Sequence, residues 1–262
     1  MSVRWLKTLM LVLVLLAIGS ASAIADVFSY AVATDQNLYL VDLTTANATV
    51  IGSAGAFLEG LALSPGGSLF GTDVAGNLYS LNKTTGAATF VGATGRGNIE
   101  GLDFSGSTLL GTDFNDPVTV FSINTSNAST ANIVTASSLT GVVRTMTVLD
   151  PNNVLVRGDG PPNNTLYSLS LTTGAVTTIG TLAVNGFQFA AMDFGTNGVL
   201  YGLDNDGSEW IIDPTTAGVT LVGNTGGQFW LDMTAAPVPE PGTITLLGLG
   251  LLALRAGLRR YL

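Results

Sequence analysis

The sequence predicts an all-β fold, a five-bladed β-propeller of four-stranded antiparallel blades, from three observations. One unit recurs five times between residues 26 and 236, at intervals of 40 to 46 residues. That interval is the length of one four-stranded blade. Each unit alternates segments rich in Val, Ile, Thr and aromatic residues with turns of Gly, Asn and Asp, a pattern typical of short strands. The third observation is that one unit is divided between the two ends of the repeat region, which begins with a second strand and finishes with a first strand.

Each copy of the unit contains the same four elements in the same order. An aromatic residue lies three positions before a Thr-rich turn in a predicted strand. These aromatic residues are Tyr39, Tyr79, Phe121, Tyr167 and Trp210. A strand that ends in an apolar residue and Gly follows the turn in four copies, and then come an apolar-x-apolar strand and a strand that ends in Asp. The unit therefore supplies four strands.

The division of the first and last units predicts how the ring closes. The repeat region begins with the second strand of a blade, which ends at Asp35, and finishes with a first strand near Trp230 to Met233. Pairing these two strands in one blade closes the ring and covers their edges. In its blade pattern the region resembles the YVTN-like surface propellers. A β-solenoid with the same period is the alternative fold, and it needs terminal caps.

The N-terminal residues have the layout of a secretory signal peptide. Arg4 and Lys7 precede an apolar run at residues 9–18, and a stretch of small residues follows. We therefore assign residues 1–25 to a signal peptide that signal peptidase cleaves after Ala23 or Ala25. An uncleaved membrane anchor is the alternative, but the apolar run is short for a membrane-spanning helix.

The C-terminal residues 237–262 combine a short motif, an apolar segment at 244–254 and a basic end. The motif is Val238, Pro239, Glu240 and Pro241, and the basic residues are Arg255, Arg259 and Arg260. This order resembles the PEP-CTERM sorting signal. The resemblance implies transient anchoring in the inner membrane by a short transmembrane helix and cleavage by an exosortase. It also implies release to the surface, extracellular matrix or biofilm of a bacterium that produces exopolysaccharide.

Charge and composition exclude several classes of function. The chain has a net charge of −9, but residues 26–236 contain 4 basic against 17 acidic residues, a net charge of −13. Nucleic-acid binding by this region is therefore not expected, because few cations are present to neutralise phosphates. The absence of Cys and His excludes disulfides, thiolate or imidazole metal sites and Ser/His or Cys/His dyads. Catalysis would require carboxylates, hydroxyl groups, Tyr, Lys or a bound cation.

One face of the predicted ring brings polar residues close to the central channel, because first strands begin there and second strands end there. Hairpin spacing predicts these facing pairs: Glu59 with Asp73, Glu100 with Asp113, Arg144 with Asp159 as an ion pair, Ala190 with Asp204, and Phe229 with Asp35. Residues that break a repeat are better functional candidates than residues that obey it. The candidate ligand-binding residues are Glu59, Glu100, Arg144, Phe229, Asp73 and Asp113.

Other acidic residues have simpler interpretations. An Asp that recurs before a tight turn accepts hydrogen bonds from the turn backbone. Asp103, Asp193 and Asp232 lie within innermost strands, where hydrogen bonds to the adjacent blade or to channel water are expected. No cofactor is required, although Asp204, Asp206 and Glu209 offer oxygen ligands that suit Ca2+.

Two hypotheses for function follow. The first is a non-enzymatic surface or matrix protein that binds a polysaccharide, a cation or a protein partner at the axial face. The second is a secreted carboxylate-dependent glycosidase or lyase, because paired carboxyl groups can act as acid and base. We assign no catalytic residue from the sequence.

Overall fold

The fold is a ring of five sheets, and it confirms the prediction of an all-β, five-bladed propeller. The computed structural model describes residues 27–139, 141–159, 162–184 and 188–236. These residues form twenty strands in five four-stranded antiparallel sheets. The predicted signal peptide and the sorting tail lie outside the described residues. Within the described residues, no helix is long and apolar enough to cross a membrane.

Every blade has an innermost, a second, a third and an outermost strand. The innermost strands are β4 (Leu58–Leu63), β8 (Ile99–Ser105), β12 (Val143–Asp150), β16 (Phe189–Phe194) and β20 (Trp230–Ala236). The second strands are β1 (Phe28–Ala33), β5 (Leu69–Asp73), β9 (Thr108–Asp113), β13 (Asn153–Gly158) and β17 (Leu200–Asp204). The third strands are β2 (Asn37–Asp42), β6 (Asn77–Leu81), β10 (Val118–Ile123), β14 (Thr165–Ser170) and β18 (Ser208–Ile212). The outermost strands are β3 (Asn47–Ser53), β7 (Ala88–Ala93), β11 (Thr130–Ala136), β15 (Val176–Thr181) and β19 (Val219–Asn224).

Blade 1 closes the ring as the sequence predicts. It combines β20 with β1, β2 and β3, whereas blades 2 to 5 are β4–β7, β8–β11, β12–β15 and β16–β19. In blade 1 Phe28 pairs with Ala236, and the pairing continues to Ala33 and Trp230. The first and last described strands therefore protect each other's edges.

The core lies between the blades. Five clusters of buried apolar side chains occupy the five junctions between neighbouring blades. Each third strand has one buried side chain that faces the junction with the following blade. The backbone of this residue pairs with the second strand of its own blade. These equivalent residues are Leu38, Leu78, Val120, Leu166 and Glu209. Glu209 is thus an acid at a position where the other blades have Leu or Val.

The glycine next to the end of four outermost strands allows neighbouring blades to pack closely. Gly92 lies against the backbone of Asn127, and a Cβ atom on Gly92 would lie 3.0 Å from that residue's carbonyl oxygen. Gly180 meets Thr216 of the next blade in the same way, at 2.9 Å. The third-to-outermost turn of one blade thus packs against the outermost strand of the preceding blade. Any side chain at these glycines would displace backbone.

The recurring Asp at the end of the second strands mainly organises the turn, as its simpler interpretation predicts. Asp73 accepts hydrogen bonds from the backbone N–H groups of Ala75 and Asn77, at 3.0 and 2.8 Å. The Tyr79 hydroxyl of the next strand also donates to it, at 3.0 Å. The Trp210 indole N–H donates to Asp204 at 2.8 Å in the same arrangement. In both blades this hydrogen bond connects the turn to the third strand.

Three carboxyl groups around the central channel connect neighbouring blades. Asp103 accepts from the Val148 N–H at 2.6 Å, Asp193 from the Ala235 N–H at 2.7 Å, and Asp232 from the Leu61 N–H at 2.7 Å. Burial raises the pKa of all three carboxyl groups, to about 8 for Asp103. The expected hydrogen bonds to the adjacent blade are therefore present.

Candidate functional site

A β-bulge near the start of every innermost strand builds one end of the channel. At each bulge one residue is skipped in the pairing with the second strand. A bulge turns the extra residue away from the regular ladder, and bulges are frequent next to functional sites. The five bulge residues, Glu59, Glu100, Arg144, Ala190 and Leu231, all line one pocket at the channel mouth.

Because of the bulges, the observed facing pairs differ from the predicted pairs by one residue on the innermost strand. Asp73 pairs with Leu58 rather than Glu59, and Asp113 pairs with Ile99 rather than Glu100. A similar shift in the other blades pairs Gly158 with Val143, Asp204 with Phe189, and Ala33 with Trp230. Counting along a regular hairpin assumes one residue opposite one, and a bulge breaks that rule.

The resulting cavity, called the axial pocket below, has a volume of about 300 Å³. Its lining residues are Thr34, Phe57, Glu59, Glu100, Arg144, Arg157, Gln188, Phe189, Ala190, Asn205, Phe229, Trp230 and Leu231. Four of the six predicted ligand-binding residues are among them. Phe229 lies at the rim with about half of its surface exposed.

An alternating chain of acids and arginines occupies one side of the axial pocket. Arg144 Nη1 lies 3.1 Å from Glu100 Oε1, and Arg144 Nε donates to Asp159 Oδ2 at 2.6 Å. The predicted Arg144–Asp159 ion pair is therefore present. Arg157 Nη2 lies 2.6 Å from Asp159 Oδ1, although the angles are not those of a hydrogen bond. Both arginines thus form ion pairs with carboxylates of the protein.

The two glutamates of the axial pocket differ in their partners. Glu100 is buried and bound by Arg144, and Asn98 Nδ2 also donates to it at 3.1 Å. Burial raises the pKa of Glu100 to about 7 against the attraction of Arg144. Glu59 is half-buried, and no donor among the described residues reaches its Oε2 atom. Burial raises the pKa of Glu59 as well.

Two predicted residues, Asp73 and Asp113, do not line the axial pocket. Asp73 is used by its turn, as described above. Asp113 is fully buried, and its Oδ2 atom lies 3.2 Å from Nη1 of Arg96. The structure therefore places both residues in the framework around the pocket.

The structure does not bring together the three predicted metal ligands. Asp204 accepts from the N–H groups of Asp206 and Ser208, and Asp206 accepts from the Ser208 hydroxyl at 2.8 Å. Glu209 is fully buried on the other face of β18 from Trp210, the indole of which binds Asp204. Within the described part of the chain, no group of three or more acidic side chains is arranged to hold a metal ion.

Sequence reasoning missed Arg157, which is almost fully buried at the pocket wall. Its Nε atom donates to Asn164 Oδ1 at 2.9 Å. Burial lowers the pKa of Arg157 to about 10, so the side chain still carries a positive charge at neutral pH. Arg157 occupies the position of Thr72 and Thr112 in blades 2 and 3. Arg157 therefore also breaks the repeat, and its position in a second strand is the sequence signal that identifies it.

Comparison with known families identifies the C-terminal segment. Residues 237–260 match the family described as the PEP-CTERM protein-sorting motif. The match includes the predicted motif residues and the terminal arginines, and it confirms the sorting signal. It implies export, a membrane-anchored C-terminal signal before processing, and cleavage by an exosortase. No curated protein sequence matches the chain significantly.

Comparison with solved structures supports the fold. One similar structure is described as the crystal structure of a nidogen/laminin complex, with a TM-score of 0.54 and 16% identity. The match covers 82% of this chain and 86% of that chain. The WD40 β-propeller domain of Doa1 has a TM-score of 0.49 and 12% identity, with 79% and 82% of the two chains covered. At 16% identity the likeness to the nidogen/laminin structure concerns the fold alone.

Proposed function

We propose that the protein is an exported surface or extracellular-matrix protein of a bacterium, and that its acidic propeller binds a polysaccharide in the axial pocket. The exosortase motif supports export, and signal peptidase and the exosortase are the partners during processing. The structural support is the axial pocket itself. Five bulges turn side chains into one cavity, and an exposed aromatic ring lies at its rim.

The axial pocket has the features of a small-ligand site. Its volume of about 300 Å³ is at the lower end of ligand pockets, which range from roughly 300 to 1,000 Å³. Apolar rings and a few polar groups line it, and such a mixture fixes a ligand's orientation. A sugar residue offers both an apolar face and hydroxyl groups, so it matches this lining.

The glycosidase or lyase alternative is less well supported by the same side chains. An acid–base pair requires one ionised and one protonated carboxyl group, held in environments that separate their pKa values. Burial raises the pKa of both Glu59 and Glu100, and Arg144 already binds Glu100. Measuring hydrolysis by the Glu59→Gln and Glu100→Gln variants tests this alternative. Loss of a measurable activity in both variants would favour the enzyme.

A glycan-array measurement tests the binding function. The full chain, purified in mild detergent, should bind at least one class of bacterial polysaccharide, and Phe229→Ala should weaken that binding by about tenfold or more. Phe90→Ala is the matched control, because Phe90 is also exposed but lies on outermost strand β7. Equal losses in the two variants would contradict a binding site at the axial pocket.

A further inference from the structure

The charged donors of the axial pocket are already used within the protein. Arg144 binds Glu100 and Asp159, and Arg157 binds Asn164 and lies against Asp159. Arg144 also lies over the Phe114 ring, 4.6 Å from its centroid. An anionic ligand such as a uronic acid would have to compete with these intramolecular carboxylates.

Acceptor oxygens at the same site lack donors. Among the described residues no donor reaches Glu59 Oε2, Asn98 Oδ1 or Gln228 Oε1, and all three atoms are shielded from solvent. Asn98 is next to the pocket, because its amide donates to Glu100, whereas Gln228 lines a neighbouring cavity beside Asp35 and Tyr39. Glu59 is only half-buried and lines the pocket, so its carboxyl group is available to a ligand rich in N–H or O–H groups.

Aromatic rings accompany the unpaired carboxyl group. Phe57 and Phe229 line the same pocket as Glu59. Carboxylates together with aromatic faces attract ammonium groups, by charge pairing and by cation–π contact. The neutral side chains of Thr34, Gln188 and Asn205 offer partners for hydroxyl groups. A compact ligand that carries an ammonium and several hydroxyl groups fits this set.

Building on the proposed function, we infer that the axial pocket takes an amino-sugar residue with a free amino group, and that Glu59 is the counter-ion of its ammonium. The pocket volume of about 300 Å³ suits one sugar residue better than a long segment. Arg144 and Arg157 already pair with Glu100 and Asp159 of the neighbouring blades. Glu59 remains the carboxyl group left for the ligand.

Isothermal titration of the full chain in mild detergent and moderate salt tests this inference with four probes. They are trimers of glucosamine, N-acetylglucosamine, glucose and galacturonic acid. Glucosamine trimer should bind most tightly, and Glu59→Gln should weaken its binding by about tenfold or more, because hydrogen bonds to charged groups are strong. The affinity for N-acetylglucosamine trimer should change little in this variant.

A matched variant controls for the overall negative charge. Asp213→Asn removes one negative charge in the turn between β18 and β19, away from the axial pocket. Asn82 and Asn124 begin the equivalent turns of blades 2 and 3 and cap them in the same manner, so this change suits the fold. Asp213→Asn should leave the affinity for glucosamine trimer unchanged.

The outcomes separate this inference from the proposed function. Equal affinity for the glucosamine and glucose trimers would overturn the ammonium site while leaving polysaccharide binding intact. Binding of none of the four trimers, together with a blank glycan array, would overturn both. Equal weakening by Glu59→Gln and Asp213→Asn would show that the loss of affinity follows from the change in net charge alone, and it would overturn the inference. A lysine-containing tripeptide is added as a fifth probe, and binding as tight as that of glucosamine trimer would overturn the sugar class.

Discussion

Blades 3 and 5 each contain a buried acid where the repeat is broken, but only blade 3 gives that acid a cationic partner. In blade 2 the Tyr79 hydroxyl donates to Asp73, whereas blade 3 has Phe121 at the equivalent position. Arg96 lies over the Phe121 ring, 4.2 Å from its centroid, and its Nη1 atom reaches Asp113 at 3.2 Å. The guanidinium thus replaces the missing hydroxyl group.

The acid of blade 5 has no such replacement. Glu209 lies at the junction with blade 1, beside Leu203, and it is fully buried. No donor in the described part of the chain reaches either carboxylate oxygen. Burial raises the pKa of Glu209 to about 8, and the negative charge of Asp42 adds to the increase. Glu209 is therefore expected to weaken the junction of blades 5 and 1.

The difference shows how a repeat tolerates substitution. A change that removes a donor is harmless when another side chain supplies the hydrogen bond. A change that introduces a buried acid without a partner is tolerated only while the acid remains protonated and neutral, since a buried charge is costly. Four predictions test this distinction.

Removing the compensating cation should have the largest effect. Arg96→Ala leaves the buried Asp113 carboxyl group without its partner, and breaking such a pair costs about 3 kcal/mol of unfolding free energy. Urea unfolding followed by tryptophan fluorescence measures this loss. The double variant Arg96→Ala/Phe121→Tyr should recover part of it, because a tyrosine hydroxyl then donates as in blade 2. An unchanged unfolding midpoint in the single variant would contradict the compensation.

Removing the unpaired acid should increase the free energy of unfolding instead of lowering it. Glu209→Leu restores the apolar residue of the other blades and should stabilise the protein by about 2 kcal/mol at pH 8. For a domain of this size that corresponds to a rise in Tm of roughly 4–8 °C, measured by calorimetry. Glu209→Gln should give a smaller gain, since its amide remains buried. A lower Tm for the Leu variant would show that Glu209 has a partner after all.

Apart from these substitutions, the buried acids should make the stability of the protein depend on pH. The folded-state pKa values of Glu209 and Asp103, both about 8, lie above the unfolded values near 4. Their contribution is therefore complete below about pH 4 and is lost as the pH rises to about 8. Wild-type Tm should fall from pH 5 to pH 9, and Glu209→Leu should fall less. Parallel profiles for the two proteins would rule out Glu209 as a source of the decline.

An exposed acid provides the smallest effect. The Thr215 backbone N–H and hydroxyl donate to Asp213, at 2.8 and 2.7 Å, and its pKa is lowered to about 2. Asp213→Asn keeps the acceptor oxygen at an exposed position, so the free energy of unfolding at pH 7 should change little. Thermal unfolding checks this, and a shift as large as that of Arg96→Ala would remove the contrast between buried and exposed acids.

Most of the architecture was predictable because the repeat encodes it. Aromatic residues, Thr-rich turns and the division of the terminal unit were enough to predict five blades and the closure by β1 and β20. The solenoid alternative fails because the described strands form a closed ring. The assignments of residues 1–25 and 237–262 as separate segments remain predictions, apart from the sorting motif itself.

The candidate site was predictable in composition but not in register. Glu59, Glu100, Arg144 and Phe229 were selected as breaks in the repeat, and all four line the axial pocket. Their exact partners were not accessible, because a bulge changes the pairing without a clear sequence signature. Glu209 was placed with the turn acids by its sequence proximity. Strand alternation instead turns it into the blade junction.

The pairing of β1 with β20 also determines how the molecule bears a load. Trp230 lies at the axial pocket, whereas Ala236 lies at the other end of the same strand, where the sorting segment begins. A pull between a ligand held in the pocket and the C-terminal segment would therefore run along β20. Such a force shears all the hydrogen bonds between β20 and β1 together instead of breaking them one by one. The strand that completes the ring is then also the one suited to transmit tension.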